Sequence, residues 1–195
     1  QQMFADAMER GEVYGQGIAY FTMGNVYLNM NNLDESANAY EKGLEQLLKL
    51  KTVNRVMIEV FSYLGDVLNE QKKYQQLQTL TEKWKAFLNQ YFEENQTLDE
   101  EHKNLLLFYY DIACAQAALG QDRLDDAEKM LADAKIFIGD ENSYEGMTWL
   151  INQSDLRLKQ GRYAEAFELN TRRLKLILPG EDKAIYLTVA RQRAE

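Results

Sequence analysis

The residue types that most often act as nucleophile, general base or metal ligand occur once each: His102 is the only histidine and Cys114 the only cysteine. A histidine-based triad, dyad or metal site needs more than this one imidazole can supply. His102 lies in Asp99-Glu100-Glu101-His102, near a predicted helix start, and reads as a surface residue. Cys114 sits between Ala113 and Ala115. A nucleophilic thiol needs a base or a positive neighbour, and none is close in sequence, so Cys114 reads as a packed or groove-lining thiol. Paired acids occur at Glu93-Glu94 and Asp125-Asp126. General acid–base work would require them in a dry cleft, and their lysine-flanked settings read as solvated charge. Gly11, Gly15 and Gly17 follow no strand and form no phosphate loop. Met3, Met8, Met23 and Met30 fall at loose helical spacing and read as core packing. These residues predict no catalytic site, no metal site and no cofactor.

The elements that carry them are read from composition. Hydrophobic residues make up 46% of the 195, enough for a folded core. Pro179 is the only proline. Proline disrupts helix interiors, so its near absence suits a chain that is helical almost throughout. The net charge of −9 argues against duplex nucleic acid or an anionic membrane as partner. It is unevenly spread: residues 1–150 hold 13 basic and 25 acidic side chains, residues 151–195 hold 9 and 6. No apolar stretch is long enough to span a membrane. The lone thiol excludes a disulfide-rich scaffold but leaves cytoplasm and periplasm open. The start at Gln1-Gln2, without a visible signal peptide, reads as a fragment of a longer protein.

One pattern recurs along the chain: a large apolar or aromatic residue, a small residue, a turn, then a second amphipathic stretch. It runs Tyr20, Gly24, Tyr27, Leu33, Ser36, Ala37, Tyr40, Gly43, Leu44; then Phe61, Leu64, Gly65, Leu68, Tyr74, Leu77, Leu80. The third copy reads Tyr109, Ile112, Ala113, Gly120, Leu124, Ala127, Leu131, Ala134, and the fourth Leu150, Ser154, Gly161, Tyr163, Ala166, Phe167, Leu174. A partial fifth follows Pro179, with Tyr186, Val189 and Ala190. The small positions Gly24, Gly65, Ala113 and Ser154 are expected where two helices cross closely.

These residues resemble the tetratricopeptide repeat family, whose unit is a helix–turn–helix. The resemblance implies an all-α, right-handed superhelix of stacked antiparallel helix pairs, with about four repeats and partial flanking helices. The small anchors at 24, 65, 113 and 154 lie 41, 48 and 41 residues apart, longer than the family's period of about 34. The excess amounts to whole helical turns, so the helices are expected to be lengthened, and the third turn to gain two residues between Gly120 and Ala127. Thr81, Trp84, Asn170 and Arg173 depart from the pattern.

Helices are expected at 12–30, 34–50, 54–70, 74–94, 99–119, 124–138, 144–160, 164–178 and 182–194, with residues 1–10 the tail of a preceding helix. Asn32…Glu35, Thr97…Glu100 and Asn142…Glu145 read as capping boxes. The repeats then span approximately 12–50, 54–94, 99–138, 144–178 and 182–195, and with no linker between them 1–195 reads as a single domain.

In the family, first helices line a concave surface that commonly binds peptides. Carried over position by position, the resemblance implies a groove of Ile18, Phe21, Asn25 and Leu28, with Asn29, in repeat one. Glu59, Ser62, Asp66 and Asn69, with Glu70, follow in repeat two. Repeat three supplies Leu107, Tyr110 and Cys114, with Ala117 and Ala118. Repeat four supplies Ile151, Asp155 and Leu158, with Thr148 and Lys159, and Leu187 and Arg191 come last. Such a lining suits an extended or helical segment of mixed apolar and basic character. Binding of chaperone tails, which uses a cationic clamp, is not expected, since Phe21, Ser62 and Asp66 hold the clamp positions. The expected function is a non-catalytic scaffold that binds a protein or peptide, self-association included. A looser similarity to the sensory repeat regions of bacterial signalling regulators suggests a regulatory setting. The alternative is a receptor domain for a small signalling peptide or ligand.

Overall fold

Long runs of Leu, Ala, Glu, Gln and Lys without internal proline favour helix over every other regular structure, and helix is what forms. The computed structural model describes residues 12–50 and 55–176. Within them lie eight α-helices and no strand. These are α1 (Val13–Asn29), α2 (Leu33–Leu47), α3 (Arg55–Glu70), α4 (Tyr74–Glu94), α5 (Glu100–Gly120), α6 (Leu124–Ile136), α7 (Tyr144–Lys159) and α8 (Tyr163–Leu176). All eight match helices expected from sequence. The expected helix 182–194, the tail at 1–10, and residues Met3, Met8, Leu187 and Arg191 lie outside the described residues.

Four connections are one and the same turn. Asn31, Lys72, Asp122 and Gly161 take φ of 56, 58, 55 and 72°. The amide after each bonds five residues back: Asn32 N to Tyr27 O, Lys73 N to Leu68 O, Arg123 N to Ala118 O and Arg162 N to Arg157 O, at 2.8–2.9 Å. This is the Schellman closure, in which one left-handed residue lets the chain satisfy the last carbonyls of a helix. Five residues past each left-handed position stand Ser36, Leu77, Ala127 and Ala166, all buried. Seven residues before it stand Gly24, Gly65, Ala115 and Ser154, also all buried.

This register corrects the third repeat. Its anchor is Ala115 rather than Ala113, and the third turn is no longer than the others; both alanines are buried, so size alone does not separate them. The turns at 31, 72, 122 and 161 are 41, 50 and 39 residues apart. The extra length is therefore not a whole number of helical turns throughout. The largest excess, between 72 and 122, falls in the 21-residue helices α4 and α5 and in the connection between them.

Two helix starts also differ from expectation. Asn32 caps α2 as predicted, its Oδ1 accepting from Glu35 N at 3.4 Å. At α5 the cap is Asp99, whose Oδ1 accepts from His102 N at 2.8 Å, rather than Thr97. At α7 it is Ser143, whose Oγ accepts from Gly146 N at 3.1 Å, rather than Asn142. Each helix begins later than the box pattern suggested, because the nearer Asp or Ser oxygen already meets the free amides of the first turn.

The chain divides into two compact units, Gln1–Leu106 and Leu107–Glu195. In unit one, α1 and α2 cross at glycines: a Cβ on Gly17 would lie 2.5 Å from Leu47 Cγ, and one on Gly24 would lie 2.3 Å from Tyr40 Cε1. Ser36 Oγ donates to Gly24 O at 3.0 Å across the same contact. Between α3 and α4, Phe61 stacks on the fully buried Trp84 with ring centres 5.5 Å apart and tilts against Phe87 at 5.4 Å. Helix α3 packs against both α1 and α2. The first two turns meet at one edge, where Asp34 accepts from Gln71 Nε2 and Lys73 Nζ at 2.8 and 3.2 Å.

Unit two is built around Phe108, Ile112, Ala115, Ala118, Leu131 and Leu156, with Ala127 and Ala134 letting the helices approach. Trp149 lies against this core and donates its Nε1–H to Leu131 O at 2.8 Å. Helices α7 and α8 meet at Ser154, whose Oγ donates to Ala166 O at 3.4 Å and accepts from Asn170 Nδ2 at 2.8 Å. The departures Asn170 and Arg173 are thus buried members of the pair. Lys159 pairs with Asp122, joining the two turns of this unit as Lys73 and Asp34 join those of unit one. Arg157 reaches both Glu128 on α6 and Glu165 on α8, at 2.9 and 3.4 Å.

Candidate functional site

A helix at 3.6 residues per turn puts residues three and four apart on one face. On α1 this aligns Ile18, Phe21, Asn25 and Leu28; on α3 it aligns Glu59, Ser62, Asp66 and Asn69. Seven of these eight are half-buried and Asp66 is exposed. None belongs to the core, so each offers part of its surface to solvent. The structure brings α1 and α3 together through aromatic rings. Phe21 on α1 lies 5.6 Å from Tyr63 on α3, ring centre to ring centre, and Tyr40 of α2 comes within 5.9 Å of both. The absent side chain of Gly24 is what lets the Tyr40 ring in. Tyr40 then donates its hydroxyl proton to Asn25 Oδ1 at 2.6 Å.

The electrostatics of this corner are unusual for its composition. Asp66 is exposed, with protein atoms close around its carboxyl. Its carboxyl is pushed up to about 6, chiefly because that crowding strips away solvation and secondly because Glu70 lies one turn on. The Tyr40 phenol is pushed up to about 12, mainly by burial; the Ser36 hydroxyl opposes the shift, and Tyr63 and the Asp66 charge add to it.

Unit two holds the other six residues. Leu107, Tyr110 and Cys114 on α5 and Ile151 and Asp155 on α7 are half-buried, and Leu158 is exposed. Burial raises the Asp155 carboxyl, while Arg173 and Lys159 pull it back down. The reciprocal holds for Arg173, lowered by burial and supported by Asp155. An acid that α7 would otherwise leave open thus has internal cations beside it. Ala117 and Ala118 do not line a surface: both are buried, Ala118 within the α5–α6–α7 core. The register set by Asp122 places Tyr109 and Gln116 in the positions first given to Leu107 and Cys114. Tyr109 donates its hydroxyl to Glu145 at the start of α7 at 3.1 Å.

Residues first weighed for chemistry fall elsewhere. His102 is exposed and its ring pairs with Asp99 at 2.7 Å, a helix-start contact. Cys114 is half-buried. Glu93, Glu94, Asp125 and Asp126 are exposed, Asp126 paired with Arg123. Met23 is half-buried and Met30 is 70% exposed, so Met30 is not a core residue. Sequence reasoning missed Tyr63 as a lining residue and gave Tyr40 only a packing role. The signal for Tyr63 was its place four residues after Glu59 and three before Asp66.

A separate cavity of about 330 Å³ opens in unit one between α2 and α4. Leu44, Leu48, Leu64, Leu68 and Leu80 form its apolar walls, and Glu41, Glu45 and Lys83 stand among its polar lining residues. It shares no residue with the aromatic corner. Compared with known proteins, the chain matches no protein-family model and has no significant match among curated proteins.

Proposed function

We propose that the chain is a non-catalytic interaction scaffold of the tetratricopeptide-like kind, which binds a segment of another protein on its first-helix surface. The observation that carries this reading is the corner formed by Phe21, Tyr63 and Asp66: half-exposed aromatic surface beside a crowded yet open carboxylate. Aromatic side chains offer large contact area with few rotors to freeze, which suits them to recognition. The repeated turn and the small residues at fixed distance from it support the family likeness. A place in a bacterial signalling regulator is the setting that likeness suggests.

The test is selection of a displayed random-peptide library on the full chain, repeated on a Phe21→Ala/Tyr63→Ala variant and on a Glu41→Ala/Leu48→Ala variant. Peptides lost only with the first variant support the first-helix surface. Peptides lost only with the second overturn it.

A second reading rests on the cavity between α2 and α4. Its volume is at the small end of the range for ligand pockets, roughly 300–1,000 Å³, and its leucine walls suit a small apolar molecule. A receptor that binds such a ligand is the alternative function, and loss of binding in the second variant favours it.

A further inference from the structure

The described helices carry many acids, and several exposed ones have a cation supplied by the chain. Asp34 has Lys73, Asp122 has Lys159, Glu128 has Arg157, and Glu141 has both Lys135 and Arg172. Asp155, at the place on α7 that Asp66 holds on α3, has Arg173 and Lys159 acting on it. Asp66 and Glu70, both exposed, have no such cation. They stand one turn apart on α3, like charges on one face, and among the described residues neither forms an ion pair. The groups that act on Asp66 are its protein surround and Glu70, both unfavourable to its charge.

Beside this uncompensated pair stand the rings of Phe21 and Tyr63, the latter 40% exposed. Asp66 is near enough for its charge to be felt at Tyr40, whose ring completes the aromatic cluster. Ring faces carry negative potential and attract cations. A carboxylate with reduced solvation gains more from a cation than a fully hydrated one does. Carboxylates and ring faces therefore favour the same kind of ligand group, and the chain supplies none of its own.

We propose that this corner is a binding site for one cationic side chain, a lysine ammonium or arginine guanidinium of the bound protein segment, with Asp66 as its carboxylate partner and Tyr63 and Phe21 beside it. The inference deepens the first-helix reading and rests on it. It fixes a requirement that surface alone does not: the segment must carry a basic residue flanked by apolar ones, and charge rather than area decides its register.

The experiment is an NMR titration of the full isotope-labelled chain with three small probes at pH 7.5: the Nα-acetyl methylamides of lysine, arginine and norleucine. The norleucine amide has lysine's aliphatic stem without the charge. Lysine and arginine amides are expected to shift the signals of Tyr63, Asp66 and Phe21 and to bind at least about fivefold more tightly than the norleucine amide. Asp66→Asn, which keeps the shape of the side chain, is expected to erase that difference. Equal shifts with all three probes, no shift with any, or a lysine response unchanged in Asp66→Asn overturns the cation site. If peptides from the displayed library still depend on Phe21 after such a result, the surface reading survives and only its chemistry falls.

Discussion

Asn170 donates a 2.8 Å hydrogen bond to Ser154, from the place in its hairpin that Tyr40 holds opposite Gly24. Both pairs are sixteen residues apart. One hairpin fills the contact with a ring against a bare backbone, the other with two short polar side chains. Ser154→Gly removes the acceptor from an amide that is 3% exposed and should cost about 1–3 kcal/mol. Asn170→Tyr alone should crowd the Ser154 side chain. The double variant Ser154→Gly/Asn170→Tyr copies the first hairpin and should be less destabilised than the two single changes combined. Urea denaturation of all four proteins measures the coupling, and strict additivity would sink the equivalence.

Gly24→Ala puts a methyl group where the Tyr40 ring already lies. Overpacking of this kind costs about 1–3 kcal/mol. The loss should shrink when Tyr40 is also changed to leucine, which vacates the space. A thermal melt in which Gly24→Ala equals wild type would show that the ring is not held against the helix.

Asp66 gives a pH signature. Its folded-state value of about 6 lies above the ordinary 3.8, so the folded chain holds the proton more tightly than the unfolded chain does. The stabilisation this gives is complete below about pH 4 and is lost as pH rises through about 6. Asp66→Asn should therefore gain stability over wild type at pH 7, by up to about 1 kcal/mol because water on the open side limits the effect. The gain should close towards pH 4. Denaturation curves at pH 4, 5.5 and 7 test it, and a gap independent of pH would contradict it.

The turns predict gains as well as losses. Lys72 and Asp122 hold left-handed backbone conformations that strain an L-residue by about 1 kcal/mol. Lys72→Gly should stabilise by several tenths of a kcal/mol, less the entropy glycine adds to the unfolded chain. Asp122→Gly should stabilise by less still, because it also removes the exposed pair with Lys159. Gly161→Ala should destabilise by about 1 kcal/mol. Differential scanning calorimetry reads all three, and a stabilised Gly161→Ala would refute the shared turn.

The helices were legible because a 3.6-residue apolar rhythm runs unbroken by proline. The prediction of 74–94 coincides with α4, and that of 54–70 covers α3 and shares its last residue. The third anchor was not legible. Ala113 and Ala115 are both small and both buried, and only the φ of Asp122 decides between them. Capping oxygens were misplaced at Thr97 and Asn142 because Asp99 and Ser143 lie within two residues and compete for the same amides. Of the candidate surface, the stripes on α1 and α3 follow from the family resemblance, and every member is at least partly accessible. The aromatic corner does not, because Tyr40 reads as core in a linear sequence, and its proximity to Phe21 and Tyr63 exists only once α1, α2 and α3 have packed.

The bonds that close the outer hairpins, Ser36 to Gly24 and Ser154 to Ala166, each span twelve residues. Segments of about ten residues meet within roughly 10–100 ns, and short closures of this kind lose little chain entropy. Each of these hairpins can therefore test its own geometry before more distant helices arrive. Topologies built from such local encounters fold quickly, and they suit a polypeptide that leaves the ribosome one hairpin at a time, with each completed pair offering a surface on which the next can settle.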